Sequence, residues 1–375
     1  MTTLLRADRI VTATDDLRDA WMVVDGSAEA DRSGVVIAVG TGTPPTTDSA
    51  TTVAGTIIPG LVDLHAHGAL GHDFAACTVD DAAAAAAHHR VHATTTLVAS
   101  LATSTVDDTV AALRRLRPLV TDGTLAGLHL EGPWLSPARR GAHRADLLHP
   151  PTPAEVETYL DAADGTLAVV TLAPELPGAL DTVRRLVAAG IVVAIGHTDA
   201  TADQTRRAVD AGATLVTHLF NGMPPLHHRG PGPVGVALTD DRLVVECIVD
   251  GHHLDPVAVD LVRRAAPGRT VLVSDAMSAT GCPDGEHTIA GSAVSVRGGV
   301  AMLRDGSSLA GSTITVADAV RRLRDGGVPL TEVVAAASTR PARLLGRSAP
   351  LTIGAPADLV VLDDAGMVST PVVVP

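Results

Sequence analysis

From residue 56 onward the chain alternates between two textures. Short runs of β-branched residues and leucine, apolar at consecutive positions, recur at 56–65, 94–100, 125–131, 167–172, 191–196, 213–218, 243–249 and 270–275. Between them lie stretches rich in Ala, Arg and Leu: Asp80 to His92, Val106 to Leu116, Pro153 to Ala163, Ala179 to Ala189, Ala202 to Ala211 and Pro256 to Ala265. The first of these holds Ala82 to Ala87, a run of strong helix formers. Strands that are apolar throughout and separated by helices belong to a parallel sheet covered on both faces. Eight such units predict an α/β fold, a (β/α)8 TIM barrel.

The ends of the chain read differently. Residues 1–55 carry short strand patterns at Thr3 to Arg6, Ile10 to Thr12, Trp21 to Val24 and Val35 to Val39, punctuated by Asp25-Gly26 and Gly40 to Pro45. The tail, Ile353 to Leu362, is a strand again, and both ends would otherwise expose apolar edges. The expected division is a small β-sandwich domain from 1–55 plus 350–375 and a barrel domain over 56–349. A turn-rich insert, Gly281 to Gly299, follows the eighth strand, and helices are expected near Thr315 to Leu323 and Thr331 to Leu345.

Composition narrows the chemistry. The chain has 375 residues and is 46% apolar, but only five side chains are Phe, Trp or Tyr, so Val, Leu, Ile and Ala must build the core. All 28 basic residues are arginine. That excludes a lysine Schiff base, a P-loop lysine and a carbamylated lysine bridging two metal ions. A net charge of −14 with no basic block argues against nucleic acid and anionic membranes as partners. Cys77, Cys247 and Cys282 stand far apart, which fits a reducing cytoplasm better than a disulfide framework. Met1 to Arg9 lacks the apolar core of a leader, and no apolar run approaches the roughly 20 residues that span a bilayer.

Histidine, with 16 copies, is where chemistry concentrates. On a strand, residues i and i+2 share a face, so His65 and His67 aim two imidazoles at one point. The third strand ends in Glu131, the fifth runs into His197, the sixth ends in His218 and the eighth in Asp275. In a barrel all these strand ends meet at one face, where active sites of the fold lie. Imidazole and carboxylate are the ligands of catalytic zinc, iron or manganese. Glu131, His197 and His218 suffice for one three-ligand site. His65 and His67 offer a second, with Glu131 bridging. Asp275 is either a proton shuttle or a ligand of the second ion. The cofactor expected is therefore a divalent metal, one or two ions per chain, zinc first, with iron, manganese or cobalt as alternatives. His88, His89 and His92 sit on the alanine-rich helix and are expected at the surface.

These residues resemble the amidohydrolase superfamily, from Pro59 to His67 and then at Glu131, His197, His218 and Asp275. Within it, His129 to Leu135, Arg140 to His143, Gly196 to Thr201, Thr217 to Pro224, Asp250 to His253 and Leu309 to Ser312 are similar to the N-acetylglucosamine-6-phosphate deacetylases. The resemblance covers nearly the whole chain. It implies a cytoplasmic homodimer of amino-sugar metabolism whose substrate is a phosphorylated amino sugar. It implies that Glu131, His197 and His218 hold the main metal, that Asp275 activates water and protonates the amine, and that His143 polarises the acetamide carbonyl. It assigns the phosphate to Asn221, Gly222, Arg229 and His253. Arg229 lies in a Gly/Pro-rich loop, His227 to Gly235, after strand six, where a guanidinium can fork onto phosphate. The rival readings are another deacylase or cyclic-amide hydrolase of the same superfamily, an aminohydrolase acting on a purine, and a non-catalytic structural relative.

Overall fold

The structure, a computed structural model, describes residues 1–26, 34–349, 351–363 and 368–369. The chain forms two compact units. One comprises the described residues of Met1–Val62, His89–Thr96 and Val316–Pro375, the other Asp63–His88 and Leu97–Thr315.

The first unit is built on a six-stranded sheet. Thr2–Val11 pairs antiparallel with Asp16–Asp25, which pairs with Val35–Thr41. On its other side Thr2–Val11 runs parallel to Ser49–Pro59, and Ser49–Pro59 pairs antiparallel with Leu359–Leu362. Leu5, Ile10, Met22, Val24, Val36, Ile57 and Leu359 form its core. The two ends of the chain thus share one sheet, as the apolar tail predicts. The expected strand over 56–65 divides at Gly60. Ser49–Pro59 belongs to this sheet, and Leu61–Ala66 begins the barrel. A Cβ at Gly60 would collide with Thr95 Oγ1 and the Asp358 carboxylate, so only glycine passes here. One apolar run, Ile57 to Val62, serves two sheets, and its hydrophobicity alone could not reveal the break.

The eight parallel strands are Leu61–Ala66, Thr94–Ala102, Gly127–Glu131, Leu167–Leu172, Val192–Ile195, Leu215–Val216, Val244–Ile248 and Thr270–Val273, and each neighbours the next. The ring closes where Asp275 N–H donates to the His65 carbonyl at 2.8 Å and His67 N–H to the Ala276 carbonyl at 2.7 Å. Asp63, buried in the first strand, adds a side-chain staple. It accepts from Ser274 Oγ at 2.5 Å and from Ser274 N–H at 3.2 Å. Burial raises the Asp63 carboxyl to about 6 despite these bonds. Helices connect successive strands. Thr105 caps Val106–Thr121, and Thr201 with Gln204 forms a capping box on Ala202–Asp210.

Three local expectations are corrected. The loop expected over His227 to Gly235 ends early, because Gly232–Thr239 is a helix entered through Pro231 and Pro233, and proline is well tolerated in a first helical turn. The turn-rich insert and the residues just after it form a three-stranded antiparallel sheet, Gly285–Ile289, Ser292–Arg297 and Val300–Leu303, over its own core of Met277, Ile289, Val294, Val296 and Leu303. His89 is fully buried rather than at the surface. The alanine run around it has no apolar stripe from which an inward face could be read. No helix among the described residues is long and apolar enough to cross a membrane.

Candidate metal centre and active site

The C-terminal ends of the barrel strands bring the polar residues together. His65 and His67 leave the first strand with their Nε2 atoms 3.1 Å apart, and Asp275 Oδ1 lies 3.4 Å from each. Glu131 ends the third strand. Its Oε1 lies 3.1 Å from His197 Nε2 and 3.0 Å from His218 Nε2, and those two nitrogens are 3.1 Å apart. Its Oε2 faces the other way, 3.2 Å from His67 Nε2 and 3.3 Å from His143 Nε2. Two three-residue groups result, His65–His67–Asp275 and Glu131–His197–His218, with Glu131 between them.

The donor set fits a divalent ion in each group. Two imidazole nitrogens about 2.0–2.1 Å from one tetrahedral zinc ion lie roughly 3.3 Å apart, close to the spacing within each pair. Ring orientation is set from behind. His197 Nδ1–H donates to the Arg139 carbonyl at 2.8 Å, which turns the Nε2 lone pair toward Glu131 and His218. His143 is arranged in the opposite sense. Thr103 N–H donates to its Nδ1 at 3.4 Å, so the ring proton is on Nε2 and points into the site. Burial takes His143 down to about 4, against the pull of Glu131, so it is neutral at pH 7. Burial would raise the Asp275 carboxyl, but His65 and His67 prevail and hold it well below the usual carboxylate range. Burial lowers His67, yet hydrogen bonds to Asp275 and Glu131 win and raise it to about 9. Carboxylates and imidazoles at the strand ends therefore offset one another's charge.

Backbone conformation contributes as well. His197, His218 and Asp275 have φ of 45°, 26° and 49°, in the region that non-glycine residues rarely enter. Such conformations cluster where a fold must aim a side chain. Gly222, at φ 64°, closes against the His197 ring, and a Cβ there would lie 2.8 Å from His197 Nδ1.

One cavity is lined by His67, Glu131, His143, His197, His218 and Asp275 on its polar side. Asn221, Gly222 and His253 line it further along, and Ile289, Ala290 and Leu309 supply an apolar wall. His253 is anchored by Asp250, whose Oδ2 lies 2.7 Å from its Nδ1. Ala290 N–H donates to Asp73 Oδ2 at 3.1 Å, which holds the tip of the hairpin at the cavity. His65 lies buried beneath, with no exposed surface. Arg229 is the candidate not brought in. It is exposed, with Nη1 2.7 Å from His228 Nε2, and is absent from the cavity lining. Asp63, Thr103 and Glu246 carry no role in the sequence reading, and Asp250 enters it only as part of the stretch Asp250 to His253. Glu246 does leave a trace, a carboxylate inside the apolar run Val244-Val245-Glu246-Cys247-Ile248.

A model of the amidohydrolase family matches residues 56–374. The chain is 37% identical over 350 residues to the N-acetylgalactosamine-6-phosphate deacetylase of Escherichia coli O157:H7, covering 92% of this chain and 90% of that relative. It is 36% identical over 294 residues to the N-acetylglucosamine-6-phosphate deacetylase of Vibrio furnissii, covering 77% and 74%. Among solved structures, a mutant N-acetyl-D-glucosamine-6-phosphate deacetylase from Mycobacterium smegmatis, in complex with N-acetyl-D-glucosamine 6-phosphate, superposes with a TM-score of 0.93 at 43% identity, covering 100% of both chains. A family match over most of the chain and relatives of this identity and coverage establish that the chain belongs to the amidohydrolase family.

Proposed function

We propose that the chain hydrolyses the acetamide of N-acetylglucosamine 6-phosphate to glucosamine 6-phosphate and acetate. The reading rests on one juxtaposition: two groups of metal-ligand type and a neutral His143 with its ring proton on Nε2 face the same cavity as Asn221, Gly222 and His253. The full-length likeness to the Mycobacterium smegmatis enzyme supports it.

We assign Glu131, His197 and His218 to the main divalent ion, and His65 and His67 to a second. Zinc suits these ligands best, with iron, manganese or cobalt as alternatives. A divalent ion supplies Lewis acidity that acidifies water and polarises an amide carbonyl. Asp275, ionised at neutral pH, accepts the proton of the attacking water and then passes it to the departing amine. His143 donates its Nε2–H to the carbonyl oxygen as negative charge develops there. Asn221, Gly222 and His253 are assigned to the phosphate. Arg229, although outside the cavity lining, stays in the set in our reading because it follows Asn221 and Gly222 in the loop after the sixth strand. We take the assembly to be a homodimer, the commonest symmetric oligomer. We take the compartment to be the cytoplasm, since a sugar phosphate does not cross a bilayer unaided. The catalytic domain is taken as 56–349, with its first barrel strand starting after Gly60, and the β domain as 1–55 plus 350–375.

The test is acetate release from phosphorylated and free N-acetyl sugars of gluco, galacto and manno configuration, with and without chelator. The expected result is turnover of the phosphorylated gluco sugar that chelator abolishes and added metal restores. Turnover only of unphosphorylated amides would overturn the substrate assignment. The likeness to the Escherichia coli relative makes the galacto epimer the second reading. In the same assay Arg229→Ala should raise KM at least tenfold for the phosphorylated sugar alone. An equal change for the free sugar removes Arg229 from the phosphate set.

A further inference from the structure

We propose that Glu246 is a positioning residue that fixes one ligand from each of the two metal groups at once. It stands on the seventh barrel strand, is 1% exposed, and takes no direct place in either group. Its Oε2 lies 3.3 Å from His65 Nδ1 and accepts from His218 N–H at 3.1 Å. Its own carbonyl accepts from Leu219 N–H at 2.9 Å. Each bond has a distinct consequence. A proton on His65 Nδ1 shared with the carboxylate leaves the Nε2 lone pair for an ion and raises the basicity of the ligand. His218 differs, because its Nδ1 has no partner among the described residues. The His218 ring is therefore aimed by its backbone, and that backbone, in the rarely adopted region at φ 26°, is clamped at two successive N–H groups by Glu246.

Stability alone does not account for a carboxylate here. Glu246 Oε1 is buried without a partner among the described residues, and such an atom costs free energy that an apolar residue of similar size would not. Both bonds made by the paired oxygen end on candidate ligands.

The assignment rests on the metal reading above, and the experiment separates the two. Protein stripped with chelator is titrated with Zn2+ or Co2+ by calorimetry, as the parent, Glu246→Leu and Glu246→Gln. The parent should take up two ions. Glu246→Leu should weaken both steps by about 10–100-fold, the usual range for losing a group that orients a ligand. Glu246→Gln keeps an oxygen that accepts from both N–H groups and should recover part of that affinity, with a loss of about three- to tenfold. A folded Glu246→Leu with parental affinities overturns the assignment and leaves the metal reading intact. If Glu246→Leu does not fold, Glu246→Gln decides: a loss of threefold or more supports the role, and unchanged affinities overturn it. A parent that takes up fewer than two ions overturns the two-ion reading and this assignment with it.

Discussion

At the scale of single residues, the cavity and the side chains buried around it concentrate features that cost stability elsewhere in a protein. His197, His218 and Asp275 hold positive φ, and Asp63, His65, Glu131 and Glu246 bury charge or potential charge. Asp275 is the sharpest case, since its Oδ1 lies 3.4 Å from the Nε2 atoms of both His65 and His67, and it groups with them rather than with Glu131, His197 and His218. Asp275→Asn should lower kcat by at least about 100-fold, the scale of positioned acid–base catalysis, while the ion at Glu131, His197 and His218 stays bound. Steady-state rates with metal analysis by mass spectrometry check both halves, and parental turnover would remove Asp275 from the proton path. Asp63 gives a pH signature. Its folded-state carboxyl titrates at about 6 against 3.8 for the ordinary group, so the native state binds more protons in that window. The parent should therefore lose stability relative to Asp63→Asn as pH rises from about 3 to about 7, by on the order of 3 kcal/mol in all, with no further change above. Urea unfolding of both proteins across that range measures the difference, and a flat difference contradicts it.

At the scale of elements, the fold holds its irregular parts with side chains rather than with regular backbone bonding. The sixth barrel strand is only Leu215–Val216, and the chain beyond it turns at once through His218. The helix Gly232–Thr239 is stopped by a buried guanidinium. Arg269 Nη1 donates to the carbonyls of Ala237 and Leu243 at 2.8 and 2.6 Å, and Nη2 to Leu238 at 2.8 Å. A cation at this end also meets the negative pole of the helix dipole. Arg269→Met should cost about 3 kcal/mol, because carbonyls paired with a charge would be left unsatisfied in the interior. Thermal unfolding tests this, and a Tm within a degree or two of the parent would show that water or neighbouring groups replace the guanidinium without penalty. These elements were the least legible from sequence. Gly and Pro around residues 230–235 read as a loop, although they open a helix. The alternation of Val294 and Val296 was masked by the glycines flanking the insert.

At the scale of the whole molecule, the two ends of the chain meet in one sheet. Leu359–Leu362 lies against Ser49–Pro59, and Leu351, Ala357 and Leu359 belong to the same core as Leu5 and Met22. Deleting residues 350–375 should expose Ile57 with the bared edge of Ser49–Pro59, and expression should yield aggregate in place of soluble protein. Soluble, monodisperse protein with the parental Tm would show that the tail is dispensable. The alternation of apolar strands and helices, and with it the barrel, was determined by local composition, because every parallel strand buried on both faces needs the same kind of residue and every crossover needs a helix. The strand-end residues His65, His67, Glu131, His197, His218 and Asp275 were legible for the same reason, since the fold collects those ends at one face. Only tertiary structure decided the break at Gly60, the inward face at His89, the exposed position of Arg229 and the placement of Glu246 behind two ligands. Each of those depends on what approaches from a distant part of the chain, and a one-dimensional pattern records a residue's own preference but not its neighbours across the fold.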